Sequence, residues 1–300
     1  MGSSPSAPAS PARCILHIGA HKTASTHLQK SMLAQREALA ALGCAYLGPD
    51  LLRKTYALPS LIRSAPVLKR KLAPLREVVA QDIARGQRIL LSDENIIGRP
   101  RPPDLALGAQ LYPQAQSRVG KLIAGLELQD VTLCLALRDP LAFVTSAWGH
   151  QFLALKPIEF DAFVGGLAPM SLRWSELVAR LLTCTGVTRV VLWRFEDHAM
   201  IAPQVMALLG GTRAALPLLE APHLVGPSAR AIAHIGKLTA TRPDLTPQQV
   251  LRRALRRFPK SPDWPGPDPF GPAMRAQSRA QYQDDWARLC QMPYVTCLQP

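Results

Sequence analysis

The chain has 300 residues, 48% of them hydrophobic and 19% charged, which is long and apolar enough for one large α/β domain or two small ones. No apolar run approaches the ~20 residues of a membrane span, which excludes a helical integral membrane protein. The formal net charge of +14 draws polyanions, whether nucleic acid, anionic lipid, acidic polysaccharide or a highly charged nucleotide, and does not choose among them.

Met1 to Ala12 is a Ser/Pro/Ala/Gly stretch without a charged segment leading into an apolar core, so it reads as a disordered tail and not as a secretory leader. Residues 13–300 then read as one domain. Cys14 to Ile18 is a short apolar strand broken by Gly19. From Leu28, apolar residues recur at near-helical spacing up to Gly43. Cys44 to Leu47 is a second strand. A basic stretch, Arg53 to Arg76, is interrupted by Pro59, Pro66 and Pro74. Leu75 to Ala84 is helical and Arg88 to Leu91 is a third strand, running into Ser92-Asp93-Glu94-Asn95. Pro100 to Pro113 reads as a loop and Ser117 to Gln129 as a helix. Val131 to Leu137 is continuously apolar, as a central parallel strand buried on both faces should be. Asp139 and Pro140 form an N-cap and first-turn pair for a helix from Leu141 to Phe152. Ser171 caps a further helix running to Gly186, Val187 to Trp193 is a strand, and His198 to Leu209 is a helix stopped by Gly210-Gly211. Alternating strands and helices predict an α/β three-layer sandwich around a mostly parallel sheet. Leu251, Leu255 and Phe258 make the apolar stripe of a basic amphipathic helix carrying Arg252, Arg253, Arg256 and Arg257, and residues 259–272 form a Pro-rich loop or lid.

Six scattered cysteines form no C-x-x-C. Cys14, Cys134 and Cys184 read as buried thiols. Cys290 and Cys297 have a spacing that permits pairing but read as reduced thiols of a cytoplasmic protein.

The chemistry concentrates in two places. Gly19-Ala20-His21-Lys22-Thr23-Ala24-Ser25-Thr26 joins a strand to a helix start, where unsatisfied N–H groups and partial positive charge favour an anion. Lys22 adds a cation, and Thr23, Ser25 and Thr26 add hydroxyl donors. The lysine stands three residues after Gly19, which does not match the spacing of a Walker A loop. Arg138-Asp139-Pro140, with Ser146 eight residues after the arginine, puts a forked cation and a hydroxyl near the end of another strand. Lys22, Glu94 and Arg138 all follow predicted strands, so all three should face one crevice at the carboxyl edge of the sheet.

Lys22-Thr23-Ala24-Ser25-Thr26 resembles the 5′-phosphosulfate loop of the sulfotransferases, P-K-[ST]-G-T-T, with His21 for the proline and Ala24 for the glycine. Arg138, Asp139, Pro140 and Ser146 match that family's 3′-phosphate element in full. Val190 to Asp197 is a weaker match to a strand ending near the adenine pocket, where Phe195 stands in a tyrosine's place and either walls the base or packs in the core. The family's C-terminal loop over the 3′-phosphate, which carries glycine and lysine, is not recognisable.

The resemblance implies a P-loop-like fold and sulfuryl transfer from 3′-phosphoadenosine 5′-phosphosulfate (PAPS), leaving 3′-phosphoadenosine 5′-phosphate (PAP). It implies Lys22 on the leaving oxygen, Lys22 to Thr26 on the 5′-phosphate and Arg138 with Ser146 on the 3′-phosphate. Glu94 matches the family's glutamate base, with His21 in reserve. The acceptor would be a small molecule, carbohydrate or peptide, with no specific nucleic acid and no membrane span. His17, His21 and His27 lack a complementary ligand set, and no metal is expected. A nucleotide or small-molecule kinase and a non-catalytic polyanion-binding protein are the alternatives.

Overall fold

The computed structural model describes residues 13–64, 68–212, 216–220 and 225–300. The N-terminal tail and Pro66 lie outside them. Six strands, all parallel to their neighbours, form one sheet: β1 (Cys14–Gly19), β2 (Cys44–Leu47), β3 (Arg88–Ser92), β4 (Val131–Leu137), β5 (Val187–Arg194) and β6 (Val295–Cys297). Their order is β2-β3-β1-β4-β5-β6. The chain leaves β1 toward one edge, then crosses back to β4 on the other side. The crevice beyond the ends of β1 and β4 is therefore the topological switch point, where parallel sheets bind ligands.

The period of two along each strand sorts the core into two layers. Leu16, Ile18, Leu91, Leu133 and Leu135 face one apolar cluster, and Ile15, Leu90, Cys134, Ala136 and Trp193 face the other. The second cluster is covered by Leu28 and Met32 of α1 (Ser25–Ala34) and by Val205 and Met206 of a later helix, so helices lie on both faces of the sheet. Every residue of β4 is buried, as its unbroken apolar run requires. Cys14, Cys134 and Cys184 are buried thiols, and all six cysteines are free. Among the described residues no helix is long and apolar enough to cross a membrane.

The basic stretch after β2 folds as short helices, beginning with α2 (Pro49–Lys54) and α3 (Leu58–Ser64), before α4 (Ala73–Ala84). Next come α5 (Ala115–Leu126), α6 (Pro140–Leu153), α7 (Trp174–Leu182) and α8 (His198–Gly210). The C-terminal part adds α9 (Ala229–Thr241), α10 (Pro247–Arg257) and α11 (Gly271–Cys290).

Four local expectations change. The helix read from Leu28 to Gly43 breaks at Gln35, whose side chain donates to the Ser31 and Pro217 carbonyls. The loop from Pro100 to Pro113 contains a hairpin pairing Ala106–Leu107 with Gln110–Leu111. Ser171 does not cap α7. The helix starts at Trp174, and its first amides donate to Asp285 of α11, at 2.7 Å from Trp174 and 3.2 Å from Ser175. Finally, α11 and β6 had no sequence counterpart. β6 is three residues long and takes its place by pairing with β5, a contact that local periodicity does not encode.

Candidate functional site

The loop after β1 is shaped by its backbone. Gly19 has φ +121°, and a Cβ there would stand 3.2 Å from the Glu94 Cβ, so glycine lets Glu94 pack directly beside the loop. Lys22 and Ala24 both adopt left-handed φ, 61° and 64°. Ala24, which stands where the resembling motif has glycine, thus holds a conformation that favours glycine, at a cost of roughly 1–2 kcal/mol for a residue with a Cβ. These turns leave the main-chain N–H groups of Lys22 to Thr26 without a partner among the described residues, all at the start of α1. That is an anion cradle.

Lys22, Glu94 and Arg138 line one cleft of about 730 Å³, together with His21, Ala24, Ser25, Thr26, Ser146 and Phe195. The three strand ends therefore converge as their positions in sequence required. Thr23 is the exception. Its fully buried hydroxyl donates to the Ala20 carbonyl at 2.6 Å, so the expected side-chain donor points into the loop and only its amide is available. Ser25 donates to the same carbonyl at 3.1 Å from the cleft wall. The Thr26 and Ser146 hydroxyls have no partner among the described residues, which leaves both free for a ligand.

Two of the cations lining this cleft, Lys22 and Arg138, make no ion pair among the described residues. Burial, then the nearby Arg138 charge, lowers the pKa of Lys22 to about 8 against the pull of Glu94. Arg138 donates to the Lys22 carbonyl at 2.9 Å and lies 4.5 Å over the Phe195 ring. Burial also lowers the pKa of Arg138. Phe195, in a 3₁₀ turn after β5, thus steadies the guanidinium by a cation–π contact as well as walling the cleft. Asp139 caps α6 as expected, accepting from the Ala142 amide at 2.9 Å, and its other oxygen accepts from Ser278 at 2.7 Å.

Glu94 is held by two side chains. Arg53 of α2 pairs with it at 2.9 Å while forking onto Asp93, and Gln29 donates to it at 2.9 Å. Burial would raise the carboxyl, but Arg53, His21 and Gln29 outweigh it and hold the pKa at about 2. His21 is buried against Tyr112, whose hydroxyl lies 2.9 Å from Nδ1, and burial lowers its pKa. His17 is buried in β1 with Nδ1 on Ser92 at 2.8 Å. His27 sits in α1 against the Leu219 carbonyl at 2.7 Å.

No protein-family model matches this chain, and no curated protein matches it significantly. Among solved structures, a sulfotransferase from Alicyclobacillus acidocaldarius is similar, with 14% identity, a TM-score of 0.40 and coverage of 83% of this chain and 97% of that one. At such a distance the site's own residues have to carry the functional assignment.

Three groups escaped sequence reading. Lys260 and Gly266, on the Pro-rich loop after α10, line the cleft mouth, so a loop bearing lysine and glycine does reach the site. Its residue order gave no motif to find. Arg275 of α11 joins them, paired with Asp268 at 3.1 Å. His150 lies one helical turn beyond Ser146 on α6 and also lines the cleft. Its Nδ1 is buried without a partner, and burial, then Lys22, lowers its pKa to about 4. The i, i+4 spacing from Ser146 was the signal available in the sequence.

Proposed function

We propose that this chain is a PAPS-dependent sulfotransferase acting on a hydroxyl or amine acceptor. The observation that carries the reading is the meeting of Lys22 and Arg138, two desolvated cations without carboxylate partners, at the switch point of a parallel sheet. A ligand with separate anionic groups satisfies both. The amides of residues 22–26 and the Thr26 hydroxyl suit a 5′-phosphate, and Arg138 with the free Ser146 hydroxyl suits a 3′-phosphate.

PAPS supplies the sulfuryl group: the acceptor heteroatom bonds to sulfur, the bond from sulfur to the 5′-phosphate oxygen breaks, and the acceptor proton leaves to a base. Lys22 stabilises charge on the departing oxygen, an electrostatic contribution made by a preorganised cation in a dry site. Glu94 takes the proton, being ionised at neutral pH and lining the same cleft. The pull of Arg53 makes it a weak base. The unpartnered Nδ1 of His150, neutral at pH 7, supports a second reading in which that imidazole accepts the proton.

The test has two arms. PAP should stabilise the protein against heat more than AMP or ADP at matched concentrations, and equal stabilisation by all three rejects the 3′-phosphate assignment. An acceptor-pool screen with labelled PAPS should give transfer that persists when magnesium is chelated, whereas no transfer from PAPS together with magnesium-dependent phosphoryl transfer from ATP points to a kinase.

A further inference from the structure

Beside the main cleft lies a recess of about 280 Å³ that shares Arg53 and Asn95 with it. Its other charged lining is Arg63, Arg99 and Arg118. Four arginines thus line a space the size of a small substituent, and no carboxylate among the described residues lines it. The carboxylates that pair with these arginines are not among the lining residues. Asp104 holds Arg99 at 2.5 Å and Arg118 at 3.4 Å, and Asp93, buried, holds Arg53 at 2.7 Å. Arg63 makes no ion pair among the described residues.

Arg118 is the telling member, with a side chain only 5% exposed. Burying a guanidinium is costly unless its fork is filled. Asp104 is shared with Arg99, so it does not fill two forks. Burial lowers the Arg118 pKa, and the neighbouring charges of Arg63 and Arg99 lower it further despite Asp104. The recess therefore gathers like charges that an incoming anion would relieve, and planar guanidinium groups suit carboxylate, sulfate and phosphate oxygens.

Its position says which molecule brings the anion. Arg138 and Phe195 follow β4 and β5, on one side of Lys22. Arg53 on α2, Arg63 on α3 and Asn95 after β3 lie on the other side of β1 in the sheet order. Glu94 stands next to Asn95 on that side. The recess thus opens beside Glu94 and away from the Arg138 side of the cleft.

We propose that this arginine recess binds an anionic substituent carried by the sulfuryl acceptor, so that the acceptors of this chain are hydroxylated acids. This rests on the sulfuryl-transfer reading for the word acceptor. The recess itself is tested by binding alone.

The experiment is calorimetry at fixed ionic strength on the full chain saturated with PAP. The probes are matched pairs, 4-hydroxyphenylacetate against its methyl ester and methyl glucuronide against its methyl ester, with inorganic sulfate as a free-ion arm. Each acid should bind about tenfold or more tightly than its ester, the size expected for a charge-assisted pair. Arg63→Gln, at an exposed position, should remove most of that preference while leaving ester binding unchanged. Arg99→Gln serves as the second variant. No acid preference in either pair, or a preference that survives both variants, overturns the proposal. Inorganic sulfate binding as tightly as the acids also overturns it, in favour of a free-anion site. Should PAP fail to bind, the functional reading falls, and the acid–ester comparison in the ligand-free chain still decides the recess.

Discussion

The cleft at Lys22 and the recess at Arg118 are both lined with cations, yet they follow opposite electrostatic plans. In the cleft, Lys22 and Arg138 make no ion pair among the described residues, and main-chain amides and hydroxyls stand beside them, while Arg53 and Arg275, which also line it, are paired with carboxylates. In the recess, Arg53, Arg99 and Arg118 each pair with a carboxylate that is not among the lining residues. Desolvating a bare cation costs several kcal/mol, and Lys22 shows that cost as a pKa lowered to about 8. On the proposed function, a cleft of that kind is completed by a multiply charged ligand. Cations already paired retain less attraction and suit a single anionic group. Arg53 belongs to both, because it lines the recess and the cleft and pairs with Glu94.

The comparison breaks first at Glu94. Glu94→Gln should keep PAP affinity near normal and lower turnover by about 10²–10⁴-fold, the usual loss for a general base. Full turnover in that variant, with loss on His150→Ala or His21→Ala, moves the base to the histidine concerned. Next in size, Arg138→Ala should weaken PAP by about 2–3 kcal/mol, measured by calorimetry. Unchanged affinity in the folded variant would make Arg138 structural and remove the bare-cation plan.

Two pH experiments sharpen the contrast. Arg53→Gln removes the main charge holding Glu94 at about 2, and burial then drives the carboxyl upward. Since the base must be ionised, turnover falls as pH drops through its pKa, so the acid limb of the pH–rate profile should appear at higher pH in the variant. An unmoved limb excludes Glu94 as the titrating group. Lys22 must be protonated to hold an anion, so PAP affinity should decline above pH 8, with a proton taken up on binding there. Calorimetry in buffers of different ionisation enthalpy reads that proton, and Lys22→Ala should abolish it. The smallest effect is expected at Ala24→Gly, which trades relief of left-handed strain against a more flexible unfolded chain. Urea melts should show a gain of about 1 kcal/mol or less.

The two plans also explain what the sequence revealed. The cleft is made of strand ends and the turns after them, so apolar runs, Gly19, and the Asp139-Pro140 start of α6 announce it locally. Lys22, Glu94 and Arg138 were legible as cleft residues for that reason, whereas Ser146 and Phe195 were singled out through the family resemblance. Thr23 was misread because a hydroxyl's direction depends on the turn, and this turn spends it on the Ala20 carbonyl. The recess draws Arg53, Arg63, Arg99 and Arg118 from separate elements, and each alone is an ordinary surface-type arginine in a chain of +14. Lys260, Arg275, α11 and β6 were missed likewise, since the pairing of β6 with β5 and the packing of α11 leave no periodic trace. The Pro-rich loop at the mouth was visible as a loop, but its contact with the cleft was not.

The two hydrogen bonds of Asp139 carry a consequence for how the protein is made. One oxygen starts α6, next to Arg138, and the other is held by Ser278 of α11, while Asp285 of the same helix starts α7. A nascent chain that has emerged through β5 already contains Lys22, Glu94, Arg138 and five of the six strands. It still lacks the hydroxyl and the carboxylate that fix the Arg138 corner. Domains begin to fold during synthesis from the N-terminal side, and contacts distant in sequence close last. The two hydrogen bonds that fix the Arg138 corner therefore form only once translation has passed Ser278 and Asp285, long after both motifs have been made.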